Sequence, residues 1–188
     1  PKRFFEMYPA HAIPEPRELE DEELELLASV FTGRAKPLSD EETQQLIEDR
    51  RGFYAAISFL DYNVGRILDK VGEEDLWENT IVVFFADHGQ AMIPYHGAKG
   101  TLWRAGTWVP MVVYAKGMTG NGRSSQKPVE LLDVYPTLVE LCGLPKPSHL
   151  EGDSLVPLLR DPATAWREFA QSTHLRGTNL GVAITTER

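Results

Sequence analysis

A carboxylate and an imidazole stand side by side directly after an apolar run. Residues 80–86 read Thr-Ile-Val-Val-Phe-Phe-Ala, and Asp87, His88 and Gly89 follow at once. In α/β proteins ligands bind beyond the carboxyl ends of strands, so this position predicts a functional site. The Asp87 oxygen and the His88 nitrogen could bind one divalent cation, and Gly89 would let the backbone approach a ligand closely. The alternative is a turn in which Asp87 caps the next segment.

A second pair of candidates lies in the loop that follows, at residues 94–101. Lys99 stands between Gly97 and Gly100. Its ammonium group could stabilise a sulfate or phosphate oxygen as charge develops in a transition state, and His96 could protonate a leaving oxygen. Lys99 and His96 are therefore candidate catalytic residues, and Lys99 is also a candidate substrate-binding residue. An ordinary surface loop is the alternative.

Five further residues have weaker functional interpretations. Asp61 lies inside a helical pattern, where a packing or capping role is favoured. Arg104 and Trp108 could flank a substrate, although a structural role is favoured for both. His174 precedes the last apolar run in a polar loop and could bind the substrate from across a sheet. Cys142 is predicted to be a small buried hydrophobic residue.

The elements that must position these residues alternate between helical and strand patterns. Ser39 and Glu42 form a capping-box pair, and apolar residues then recur with a helical period, which predicts a long helix from Asp40 to about Val71. The predicted strands cover residues 80–86, 109–115 and 181–185. The other predicted helices cover residues 21–31, 131–141 and 154–159, and residues 1–18 are predicted to be extended and irregular because of their prolines.

These elements predict an α/β fold. The near-continuous apolar run at residues 80–86 suits a strand that is covered on both faces, as in a mixed, largely parallel sheet flanked by helices. A length of 188 residues fits one domain, with residues 1–38 leading into an α/β core at 39–188.

Composition excludes some classes of function. The formal net charge of −9 argues against nucleic acid as the main partner, since phosphate binding needs clustered Lys and Arg. No apolar run reaches the roughly 20 residues of a transmembrane helix. Cys142 is the only cysteine, so an internal disulfide is impossible. Nothing in the sequence indicates the oligomeric state.

Taken together, the segments between residues 51 and 188 resemble the sulfatase family of the alkaline phosphatase superfamily. The motif Asn-Thr-Ile-Val-Val-Phe-Phe-Ala-Asp-His-Gly at 79–89 is similar to a strand and its metal ligands, and Ala-Lys-Gly-Thr-Leu-Trp at 98–103 is similar to a lysine loop. Their occurrence in the family's order carries the resemblance. The other similar segments are residues 52–61, 64–68, 106, 109–110, 132–138, 143–145 and 151–155.

The resemblance implies an alkaline-phosphatase-like fold and hydrolysis of sulfate esters. Asp87 and His88 would be ligands of a divalent cation, usually calcium, although many relatives have Asn at the second position. Lys99 would contact the sulfate, whereas His96 has no secure counterpart. The substrate would be a small sulfated sugar, aryl or alkyl compound. Family members are often exported to the periplasm, the lysosome or the medium, but these residues contain no targeting signal.

The resemblance also exposes a gap at the nucleophile. Sulfatases use a formylglycine made from the Cys of a Cys-x-Pro-x-Arg-like motif, and Cys142 is followed by Gly-Leu-Pro-Lys instead. A pair of metal-binding aspartates is also lacking. We therefore expect an inactive fragment that forms one partial catalytic domain of a longer sulfatase. The alternatives are a phosphodiesterase or phosphonate hydrolase of the same superfamily, and a non-catalytic module.

Overall fold

The computed structural model describes residues 1–15, 20, 38–90 and 101–187. Two compact units divide the chain. The first contains Pro1–Asp75 and Gln90–Lys99, and the second contains Leu76–Gly89 and Gly100–Arg188. Among the described residues, every helix is too short or too polar to cross a membrane.

The long helix dominates the first unit. Helix α2 covers Asp40–Glu73, close to the predicted bounds. The predicted capping box is present, because the Ser39 hydroxyl accepts the Glu42 backbone N–H at 3.2 Å and the Glu42 carboxylate accepts the Ser39 N–H at 2.8 Å. The first turn carries acidic residues, and their negative charge interacts favourably with the positive end of the helix dipole.

A short helix packs against α2, where irregular chain was predicted. Helix α1 covers Lys2–Glu6, and a 3-10 turn follows at Ala10–Ala12. The buried Phe4 ring lies 5.3 Å from the Phe59 ring and 5.6 Å from the Tyr62 ring of α2. The prediction for this stretch was wrong because these contacts reach across more than fifty residues of sequence. The predicted helix at 21–31 lies outside the described residues.

Two predicted strands form the sheet that leads to the Asp-His pair in the second unit. Strand β1 covers Val82–Phe85 and strand β2 covers Met111–Tyr114. They pair antiparallel, with Val82 opposite Tyr114 and Phe85 opposite Met111. The short helix α3, Arg104–Thr107, lies between them in sequence. Pro110 just precedes β2, as its missing N–H predicts.

Two more helices build the core of the second unit. Helix α4 covers Val134–Leu141, after a 3-10 turn at Leu131–Asp133, and helix α5 covers Val156–Arg160. The buried apolar side chains here include Val139, Leu155, Val156 and Leu158. The prediction for Cys142 was wrong, because this residue is exposed just past the end of α4.

The last element is a hairpin rather than a single strand. Strand β3 covers Phe169–Arg176 and strand β4 covers Asn179–Thr186. They pair antiparallel, and Gly177 takes a positive φ of 63° in the turn. His174 therefore lies in a strand opposite Gly181, and the prediction of a polar loop at this position was wrong.

Helices and strands are mixed, as the sequence predicted. The two sheets among the described residues have two strands each, and both are antiparallel. The largely parallel character that the apolar run favoured is therefore not seen in this part of the chain. Strand direction depends on the connection between strands, and an apolar run does not reveal it.

Candidate metal centre

The segment Asp87-His88-Gly89 follows β1 directly and keeps a defined shape through local hydrogen bonds. The Asp87 carboxylate oxygen Oδ1 accepts the His88 backbone N–H at 2.9 Å. The His88 nitrogen Nδ1 lies 2.8 Å from the Gly89 carbonyl oxygen. A carbonyl only accepts, so this contact places the proton on Nδ1 and leaves the lone pair on Nε2 for a metal ion.

The two remaining candidate metal-binding atoms of this segment lie close together. Asp87 Oδ2 and His88 Nε2 are 3.8 Å apart, and their side chains are 85% and 44% exposed. Bonds from a cation to such atoms are about 2.0–2.6 Å long, so one ion can bind both atoms at this separation. The geometry therefore fits two neighbouring ligands of one divalent cation.

Gly89 fixes this segment against α3 rather than opening it to a ligand. Its backbone N–H donates to the Gly106 carbonyl at 2.9 Å. A Cβ atom at position 89 would overlap the carbonyl oxygen of Ala105. The close approach that the sequence predicted at Gly89 is thus an approach to the protein's own backbone.

The pair alone is not a complete metal site. Within the described ranges, no group of three or more His, Cys, Asp and Glu side chains could hold a metal ion. Calcium binds about six to eight oxygen atoms, so a calcium ion at this pair would need further ligands. Asp87 fits such an ion well, whereas the imidazole of His88 is typical of zinc, iron, nickel or copper sites.

The structure describes only some of the other candidate residues. His96 and Lys99 lie outside the described residues. Asp61 is exposed on α2 in the first unit. His174 is half-buried in β3 and makes no hydrogen bond or ion pair with Asp87 or His88.

A buried ionic cluster surrounds Asp133, and no sequence pattern indicated it. This residue is at the N-cap of α4, but it is fully buried and its side chain does not cap the helix. It accepts the backbone N–H groups of Glu130 at 2.8 Å and Asp153 at 3.0 Å. It also accepts a hydrogen bond from the Arg167 guanidinium at 2.6 Å. The Asp133 carboxylate thus has two backbone N–H donors and one guanidinium donor within the protein, which favours a structural role for the cluster.

The charge of Arg167 is secured by its surroundings. Its guanidinium also lies 3.3 Å from Glu130 and 3.0 Å from Asp153. Partial burial by itself would lower the pKa of Arg167, but the hydrogen bond and charge of Asp133 outweigh it and raise the pKa. Glu130 also accepts the Gln171 backbone N–H at 2.7 Å, so the cluster holds the start of β3.

Solved structures share the fold of this chain. A phosphonate monoester hydrolase from Silicibacter pomeroyi superposes with a TM-score of 0.77 at 23% identity, over 93% of this chain and 37% of that one. A structure solved with its substrate, D-glucosamine-2-N,6-O-disulfate, superposes with a TM-score of 0.63 at 19% identity, over 90% of this chain and 37% of that one.

Sequence comparisons identify the family of this chain in addition to its fold. A sulfatase of Formosa agariphila is 30% identical over 85% of this chain and 32% of its own length. An arylsulfatase of Clostridium perfringens is 27% identical over 100% of this chain and 40% of its own length. This chain thus spans between about a third and two fifths of the length of these relatives. The sulfatase family profile matches residues 13–144, and the chain belongs to the sulfatase family.

Proposed function

We propose that this chain is part of a sulfatase that hydrolyses sulfate esters with a divalent cation bound by Asp87 and His88. The observation that carries the proposal is the 3.8 Å separation of Asp87 Oδ2 and His88 Nε2 at the end of β1. Membership of the sulfatase family supplies the class of reaction. A bound cation would neutralise charge on the sulfate and so favour attack.

The chain's own residues hold and orient the reacting group. Asp87 and His88 supply two cation ligands, and the contact of Nδ1 with the Gly89 carbonyl fixes the orientation of the His88 ring. We assign Lys99 to the sulfate oxygens, His96 to the leaving oxygen and His174 to the substrate, on their sequence positions alone. The resemblance implies calcium, whereas the imidazole donor favours a softer ion, and titration with both kinds of cation decides between them.

The nucleophile is proposed to come from polypeptide outside this chain. The hydrate of a formylglycine aldehyde would attack the sulfur and displace the alcohol of the ester. That formylglycine would be made from a Cys in a Cys-x-Pro-x-Arg-like motif. Cys142 lacks that motif and lies exposed just past α4. We therefore expect this chain by itself to be inactive.

A small sulfated compound is the proposed substrate. Two observations support a ring-bearing ester: one relative is an arylsulfatase, and one structure with the same fold contains a disulfated glucosamine. We also propose, from the family resemblance, that the protein is exported. A non-catalytic module is the alternative from another class, and the retained Asp87, His88 and Lys99 argue against it.

A phosphonate or phosphodiester hydrolase is the second candidate. The observation that favours it is the TM-score of 0.77 with a phosphonate monoester hydrolase. Both reactions need a cation and an in-line attack on a tetrahedral anion, so the present residues serve either one.

An activity assay separates these candidates. The assay uses a longer protein that contains this chain and has the full length of the relatives. The substrates are nitrophenyl sulfate and nitrophenyl phenylphosphonate. Faster hydrolysis of the sulfate supports the proposal, and Asp87→Ala is expected to lower that rate about a hundredfold or more. Asp69→Ala, an exposed carboxylate of α2, is the control. Preference for the phosphonate, or full activity of Asp87→Ala, contradicts the proposal.

A further inference from the structure

The segment after α3 runs beside the candidate metal centre. The Ala86 backbone N–H donates to the Pro110 carbonyl at 3.3 Å, and the Gly89 N–H donates to the Gly106 carbonyl at 2.9 Å. In sequence, Asp87 and His88 lie between the two residues whose N–H groups donate. Trp108 lies in sequence between the two residues whose carbonyls accept. The backbone therefore places Trp108 alongside the Asp-His pair.

Trp108 is stacked against a cation. The Arg104 guanidinium carbon lies 3.4 Å from the centre of the Trp108 ring. The Trp108 backbone N–H donates to the Arg104 carbonyl at 2.9 Å, so one turn of α3 fixes the spacing of the two residues. A guanidinium over the face of an indole is a favourable and well-ordered arrangement.

This pair is presented to solvent rather than packed in the core. Trp108 is 55% exposed, and Arg104 is also exposed. In the part of the chain that the structure describes, no carboxylate lies within ion-pair distance of Arg104. By comparison, Trp77 is half-buried against Tyr114, with ring centres 5.2 Å apart. A large exposed aromatic ring beside a positive charge is typical of a ligand-binding surface.

We propose that Trp108, held by Arg104, binds the ring of a sulfate ester whose sulfate lies at Asp87 and His88. This assignment rests on the proposed function and makes Trp108 a specificity-determining residue. The indole face offers apolar contact to an aromatic ring or to the C–H face of a sugar ring. The Arg104 charge attracts the anionic ester and any second sulfate on the ring.

The same contacts predict which esters are discriminated. Methyl sulfate carries the same anionic group but no ring, so it gains only the electrostatic contribution. A ring-bearing sulfate also gains the stacking contact, which is expected to tighten binding about tenfold. Removal of the indole should abolish that difference while leaving the weak binding of methyl sulfate unchanged.

The four tryptophans allow a test that needs no turnover. Each indole N–H gives a separate nitrogen–proton NMR signal, and Trp108→Phe identifies its own signal by loss. The chain is titrated, with calcium chloride present, with naphthyl sulfate, glucosamine disulfate and methyl sulfate. A saturable shift of the Trp108 signal with either ring-bearing ester supports the proposal, and the two esters distinguish an aryl from a sugar ring. Trp77 and Trp166 are internal controls, because Trp166 already donates to the Pro128 carbonyl at 2.9 Å.

Two results would overturn the assignment. One is a Trp108 signal that stays in place while the signal of Trp103, which is 50% exposed, moves. The other is equal affinity for methyl sulfate and both ring-bearing esters. A second variant, Arg104→Met, is expected to weaken binding of all three esters. The Asp87→Asn variant separates this proposal from the metal site, because it should weaken binding of all three esters while the preference for the ring-bearing esters over methyl sulfate remains.

Discussion

At the scale of single residues, Gly89 shows how a short motif serves two purposes. Its N–H bonds to Gly106, and its Cα lies against the Ala105 carbonyl, so it holds Asp87 and His88 in place. Only a residue without Cβ fits there. The motif is therefore defined by backbone packing as well as by its donor atoms.

We predict that Gly89→Ala destabilises the second unit by about 1–3 kcal/mol, because the added methyl group forces the backbone of α3 aside. Urea unfolding monitored by circular dichroism measures the change. Gly65→Ala is the matched control, since a Cβ there meets no atom within 4 Å inside α2. It should stabilise that helix by about 0.5–1 kcal/mol. Equal effects of the two substitutions would refute the packing role of Gly89.

The donor pair itself was predictable from sequence, whereas its setting was not. The apolar run at 80–86 predicts a strand, and the residues after a strand are a common place for ligands. The stack of Arg104 on Trp108 was not predicted, because a one-turn helix gives too short a pattern to recognise. The only sequence signal for this stack is an arginine, Arg104, four residues before Trp108.

At the scale of elements, local signals were read correctly and long-range ones were not. Helix α2 was predicted because its capping box and its apolar period lie within the helix itself. Strand β3 was missed because Phe169–Arg176 has no apolar run, and its pairing with β4 supplies the order. The antiparallel direction of β1 and β2 depends on the connection between them, which no strand pattern encodes.

The Asp133 cluster joins elements that are far apart in sequence, and it makes a strong prediction. Asp133→Ala leaves the Arg167 charge without its buried partner, so the free energy of unfolding should fall by about 3–5 kcal/mol. Urea unfolding tests this value. Asp153→Ala removes a contact to the same guanidinium, but its side chain is 68% exposed, so about 1 kcal/mol or less is expected. A smaller loss for Asp133→Ala than for Asp153→Ala would contradict the role of the cluster.

At the scale of the whole molecule, one face of the β3–β4 hairpin is unusually apolar for a solvent-exposed surface. Side chains opposite one another on this face include Leu175 with Leu180, and Thr173 with Val182. Leu175 and Leu180 are each 65% exposed, and Ile184 is 54% exposed. Exposed apolar sheet surfaces favour association.

We predict that this face makes the isolated chain self-associate. Ile184→Lys should lower the weight-average mass at high protein concentration, as measured by sedimentation velocity, because it places a charge among the apolar side chains. Thr185→Lys adds the same charge on the opposite face of β4 and should have no such effect. A monomeric wild-type chain, or equal effects of both variants, would exclude the apolar face as the cause.

The most direct test of the central claim is cation binding at His88. Manganese(II), a paramagnetic divalent ion, is titrated into the chain while the imidazole NMR signals of its five histidines are followed. The His88 signals should broaden before those of His149 and His174, and Asp87→Asn should remove this preference while Asp69→Asn leaves it unchanged. If His88 broadens no earlier than the other histidines, or if Asp87→Asn has no effect, Asp87 and His88 do not bind the cation.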